Sequence, residues 1–151
     1  MDDSSILRSM GNYQQLTVWK RAHVFALKLY RSTGSFPDRE RYGITSQLRG
    51  AAISVVSNIA EGSGRNGNRD QARFLEIARG SICELECQLL LARDIGYLTR
   101  ETWSALDGPC REIGKMLKWI DSFVTAGTAP RLTTANLRLV PGVWCLVPGA
   151  W

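Results

Sequence analysis

From Leu16 to Val124 the apolar residues return every three or four positions, the period of an amphipathic helix, and no stretch alternates as a half-buried strand would. The first stripe runs from Leu16 to about Arg31 through Trp19, Ala22, Ala26, Leu29 and Tyr30, with Lys20, Arg21, Lys28 and Arg31 off it. Gly34 and Pro37 in "STGSFPDRE" end it. A second stripe begins near Gly43 or Thr45 and carries Ile44, Leu48, Ala51, Ala52, Val55 and Ile59. Its middle is small (Gly50, Ala51, Ala52, Ser54), which lets a neighbour approach closely and predicts the most central helix.

The third helix is expected to start between Asn68 and Asp70, either of which is a capping residue. Phe74, Ile77, Ala78, Ser81, Leu85, Gln88, Leu89 and Ala92 form its main stripe, and Cys83, Cys87 and Leu90 lie roughly opposite. Apolar residues on both sides predict two neighbours, one of them in another subunit. Gly96 ends this helix, and Thr99 or Thr102 caps the next. The fourth carries Trp103, Leu106, Cys110, Ile113, Met116, Leu117, Ile120, Phe123 and Val124. Gly108-Pro109 interrupts it and predicts a kink or a restart, because proline cannot donate to the preceding turn. Four such helices with short connections predict an all-α, antiparallel up-down four-helix bundle.

The bundle occupies residues 13–126, after a flexible N-terminus at 1–12 and before a non-globular tail at 127–151. The tail repeats "LVPGVWC" as "LVPGAW", and Pro-Gly every seven residues prevents a helix. It reads as an extension outside the core, with a docking peptide as the sharper alternative.

The 151 residues suit one domain, and 44% hydrophobic with 22% charged residues is ordinary for a globular chain. Net charge is +5, which favours polyanionic partners but also serves solubility. No run reaches the length of a membrane span, and the acidic start "MDDSSILRSM" argues against export, so a cytoplasmic location is expected. Cys83, Cys87, Cys110 and Cys145 then stay reduced, and with His23 as the sole histidine no four-ligand metal site assembles. No cofactor is expected.

"SVVSNIAEGSGRNGNRD" (54–70) offers the spacing G-x-G-x-x-G at Gly62, Gly64 and Gly67. A dinucleotide loop follows a strand, whereas these glycines follow a helix, and no Lys follows any of them. The loop therefore reads as a helix stop with Gly62 in the left-handed conformation. Arg65, Arg69 and Arg73 cluster around it, either to hold an anion or to pair with Glu61, Asp70 and Glu76.

"YGITSQLRGAAISVVSNIAEGSGR" (42–65) and "FLEIARGSICELECQLLLARDIGYL" (74–98) resemble the four-helix-bundle family of proteins encoded by intervening sequences of bacterial 23S ribosomal RNA genes. "VWKRAHVFALKLYRSTGSFP" (18–37) fits its first helix, so the resemblance covers about residues 13–125. Gly108-Pro109 and the tail depart from the family pattern. The resemblance implies a small bacterial cytosolic protein that assembles as a ring, commonly a homopentamer. One branch comprises accessory variability determinants of diversity-generating retroelements, basic barrels that bind nucleic acid and a reverse transcriptase. Most other members have no established activity.

Gln47 and Asn58, with Ser81, Glu84 and Gln88, sit at or near helix seams, where hydrogen bonds fix register. Catalysis would need inward carboxylates or Glu-x-x-His pairs, and the chain has no Glu-x-x-His. The expectation is a non-enzymatic oligomeric bundle that binds RNA or DNA through Lys20, Arg21, Lys28, Arg65, Arg69 and Arg73. The alternative is a homo-oligomeric interaction scaffold that binds no nucleic acid.

Overall fold

Four long helices carry the described chain, residues 13–65 and 67–125, in the computed structural model. The N-terminal segment 1–12, the tail 127–151 with Cys145, and the side chain of Phe123 lie outside the described part. The helices are α1 (Thr17–Ser32), α2 (Ile44–Ser63), α3 (Asn68–Asp94) and α4 (Arg100–Thr125), with single 3₁₀ turns at Tyr13–Gln15, Thr33–Ser35 and Asp38–Glu40. Each helix packs on the next, and α4 closes on α1, which makes an antiparallel up-down bundle. The α2–α3 and α3–α4 seams are the most extensive. The most heavily packed helix is therefore α3 rather than α2, because it alone lies between the two broadest seams.

The core face of α1 is Val18, Ala22, Phe25 and Leu29, spaced four, three and four apart. Trp19 and Ala26 flank it half-buried, and Tyr30 is 39% exposed. The stripe read from the sequence is thus turned by about one position: Phe25 and Val18 fill the interior, and Trp19 packs on its flank against Tyr13 and His23. On α3 the interior positions include Leu75 and Ile82, while Ile77 is 42% exposed. From α4, Leu106, Cys110, Ile113, Leu117, Ile120 and Val124 are buried as their spacing predicts.

Helix ends follow local chemistry. Thr99 caps α4, its Oγ1 accepting the Thr102 backbone N–H at 3.1 Å. Gly96, at φ +83°, turns the chain out of α3. The α1 C-terminus is covered from α2: Arg49 donates to Thr33 Oγ1 at 2.9 Å and lies 4.8 Å over the Tyr30 ring. The Glu40 carboxylate accepts the Ile44 N–H at 3.4 Å and the Tyr97 hydroxyl at 3.0 Å, tying the start of α2 to the end of α3.

Three further expectations are corrected. Gly62 is buried within α2 and Gly96 is the positive-φ glycine among the described residues, so Gly62 makes no left-handed stop. Its role is close approach, since a Cβ there would lie 3.1 Å from Phe74 Cβ. Gly67, not Asn68 or Asp70, is the N-cap of α3, and no side chain caps it. Pro109 lies inside a continuous α4, so the helix does not restart. Core residues Leu106, Cys110 and Ile113 hold both flanks of the proline against the interior.

Candidate nucleic-acid interface

Positive charge is unevenly distributed over the four helices. α1 carries Lys20, Arg21, Lys28 and Arg31 and no acidic residue. α2 has one basic and one acidic side chain, α3 four and five, and α4 four and four. The unbalanced charge of the bundle therefore sits on α1. Lys20, Val24, Lys28 and Arg31 follow one another at steps of four, four and three, so they share a face. At 1.5 Å per residue, Lys20 and Lys28 stand about 12 Å apart along the axis.

That face borders a groove of about 330 Å³ on the α1–α4 seam. Buried Phe25 and Ile113 form its floor, with Val24 and Pro109 as apolar walls. Lys20, Lys28 and Arg21 form the basic rim, and Glu112 is the acid on it. Arg21 is committed to that acid at 2.8 Å. Lys20 touches Gln15 Oε1 at 3.5 Å, the outer limit of a hydrogen bond. No ion pair engages Lys20, Lys28 or Arg31 among the described residues. Val24 is 51% exposed, a large apolar side chain left open between Lys20 and Lys28.

The remaining sequence-derived residues lie elsewhere. Arg65, Arg69 and Arg73 belong to the α2–α3 connection and the first turns of α3, across the bundle from the α1–α4 seam. Arg65 pairs with Glu61 and lies 4.8 Å over the Phe74 ring, so much of its charge is engaged locally. Arg69 and Arg73 are in no ion pair among the described residues. The structure thus groups the six residues as two trios on opposite seams. Arg31, Val24 and Pro109 complete the α1 side; the signal for them was the acid-free run of α1, which composition averaged over the whole chain conceals.

Other reactive groups are scattered. Cys83 and Cys87 are exposed on α3, and Cys110 is buried. Burial pushes the Cys110 thiol up to about 12, with the charges of Glu86 and Asp107 adding to the effect. His23 stacks on Trp19 at 4.9 Å on the surface of α1. No group of three His, Cys, Asp or Glu that could hold a metal occurs among the described residues. The α2–α3 seam holds a small polar network. Ser54 and Ser81 share a hydrogen bond of 2.8 Å, and Asn58 donates to the Ser54 carbonyl at 2.8 Å. Gln88 donates to Glu84 at 2.7 Å on the exposed side of α3, and Gln47 is exposed on α2. Among the described helices none is long and apolar enough to cross a membrane.

A family model described as 23S rRNA-intervening sequence protein matches residues 14–119. A crystal structure of a protein with unknown function from the S23 ribosomal protein family of Bacteroides thetaiotaomicron aligns with a TM-score of 0.64 at 24% identity. The alignment covers 70% of this chain and 98% of that one, and it shows a shared fold. A search of curated proteins gives no match.

Proposed function

Because the chain belongs to the family of 23S rRNA-intervening sequence proteins, we propose that it is a non-enzymatic, cytoplasmic, homo-oligomeric bundle protein that binds nucleic acid through its basic surface. The observation that carries this reading is the acid-free α1, whose Lys20, Lys28 and Arg31 stand on one exposed face without ion-pair partners among the described residues. A contiguous cationic strip is what phosphate neutralisation uses, and interspersed charges would not supply it. Arg69 and Arg73 add a second, smaller cationic site.

Self-association draws support from the outward face of α3, where Cys83, Cys87, Leu90 and Leu91 are exposed together. A ring, as the family resemblance implies, would cover that face and repeat the α1 strip around its outside. A reverse transcriptase as further partner belongs to the retroelement branch of that resemblance. The second reading, a scaffold without nucleic acid, rests on the same α3 face alone. Binding of labelled RNA and duplex DNA across a salt series, with mass from light scattering in the same buffer, separates the two. Affinity that falls steeply with salt supports the first, and an oligomer that ignores both nucleic acids at low salt leaves the second.

A further inference from the structure

We infer that the α1–α4 groove takes an unpaired nucleotide, so that the protein prefers single-stranded to double-stranded nucleic acid. The inference rests on the proposed nucleic-acid binding and adds which form is bound and where. Phosphate neutralisation alone needs only the cationic strip. It gives no reason for half-exposed Val24 in the middle of that strip, or for an apolar recess beneath it.

The recess sets apolar side chains between cationic ones. Val24, Phe25, Pro109 and Ile113 provide walls and floor without a charged group, and about 330 Å³ lies at the small end of ligand-sized pockets. Lys20 and Lys28 sit one turn before and one turn after Val24. They are placed to hold phosphates that flank the nucleotide entering the groove. Glu112 carries the opposing charge on the rim, and its pairing with Arg21 at 2.8 Å removes most of its repulsion toward a phosphate. A duplex keeps its bases stacked and paired, so it reaches the rim but leaves the floor empty. A single strand can turn one base inward and cover Val24 and Pro109, the accessible apolar groups of the groove.

The test uses the full-length protein and three labelled probes of about 12 nucleotides, within the site sizes of single-strand binders. They are a single strand, an abasic strand with the same number of phosphates, and a duplex, all at one salt concentration. The inference expects the single strand to bind at least about tenfold more tightly than the abasic strand and the duplex. Val24→Gln, a neutral change at an exposed helix position, removes that preference. Equal affinity for single and abasic strands, or for single strand and duplex, overturns the groove inference and leaves the proposed binding standing. No binding of any probe overturns both. Capture of an acidic amphipathic peptide, with no preference among the nucleic acids, would assign the groove to a protein partner and overturn the inference as well.

Discussion

Gly62 of α2 and Phe74 of α3 meet so closely that a Cβ on Gly62 would lie 3.1 Å from Phe74 Cβ. The clash would be with an atom fixed to the backbone, not with the end of a flexible side chain. A Cβ on Gly114 of α4 would likewise lie 3.1 Å from a side-chain methyl of α3, Ile82 Cγ2. The two broadest seams of the bundle thus each contain a glycine that sets helix separation. Gly62→Leu is expected to cost about 1–3 kcal/mol through overpacking. Gly50, where an added methyl group would meet nothing within 4 Å, is the control. Gly50→Ala is expected to stabilise by about 0.5–1 kcal/mol. Urea denaturation of the two variants checks both signs.

Thr99 supplies a side-chain cap to a backbone N–H at the start of α4. Thr99→Ala leaves that donor to solvent and is expected to cost about 0.5–2 kcal/mol, whereas Thr99→Asn or Thr99→Ser retains most of the stability. Thermal unfolding of the three variants measures the difference.

The buried Cys110 thiol predicts a pH dependence on the alkaline side. Its proton leaves near 9.0 in the unfolded chain and near 12 in the folded one. Between those values the unfolded state binds fewer protons, so stability falls as pH rises. The contribution is whole below pH 9.0 and is lost on the way to about pH 12, at about 1.4 kcal/mol per pH unit. Cys110→Ala should flatten that slope relative to the parent protein. Peptide mapping after brief alkylation at neutral pH should find Cys110 untouched; protection of Cys83 and Cys87 as well is expected if a neighbouring subunit covers the α3 face, and their modification would count against that.

Arg65, Arg69 and Arg73 are expected to matter less for binding than Lys20, Lys28 and Arg31, which are in no ion pair among the described residues. Arg65 is already paired with Glu61 and packed on Phe74, and all three lie across the bundle from the groove. Changing them together to Glu should weaken RNA binding by a smaller factor than the same change on α1. A larger loss would move the interface to the α2–α3 end.

Helix number, order and connection were legible because four strong 3.6-residue stripes are separated by Gly, Pro and Thr at the right places. The rotation of α1 was not, because Trp19 and Tyr30 count as apolar in a stripe as fully as Phe25 does, and only packing selects Phe25 over them. Gly62 misled for a related reason. A glycine near a helix end fits both a left-handed turn and a close contact, and the partner at Phe74 lies on another helix. The cationic residues of α1 were visible in the sequence, but their grouping into a rim was not. Pro109 and Ile113 come from α4, far along the chain from Val24, and the closing α4–α1 contact brings them beneath it.

The most direct measurement compares RNA affinity across a salt series for the parent protein and for a variant carrying Lys20→Glu, Lys28→Glu and Arg31→Glu. None of the three side chains belongs to the core, so the bundle should fold unchanged, which circular dichroism verifies. If the acid-free face of α1 is the interface, the parent binds with a steep salt dependence. The variant then loses most of its affinity, and the log–log slope shrinks by about 2–3, the counterions released by three phosphate contacts. A folded variant that binds as tightly and with the same slope as the parent would contradict the assignment of nucleic-acid binding to α1.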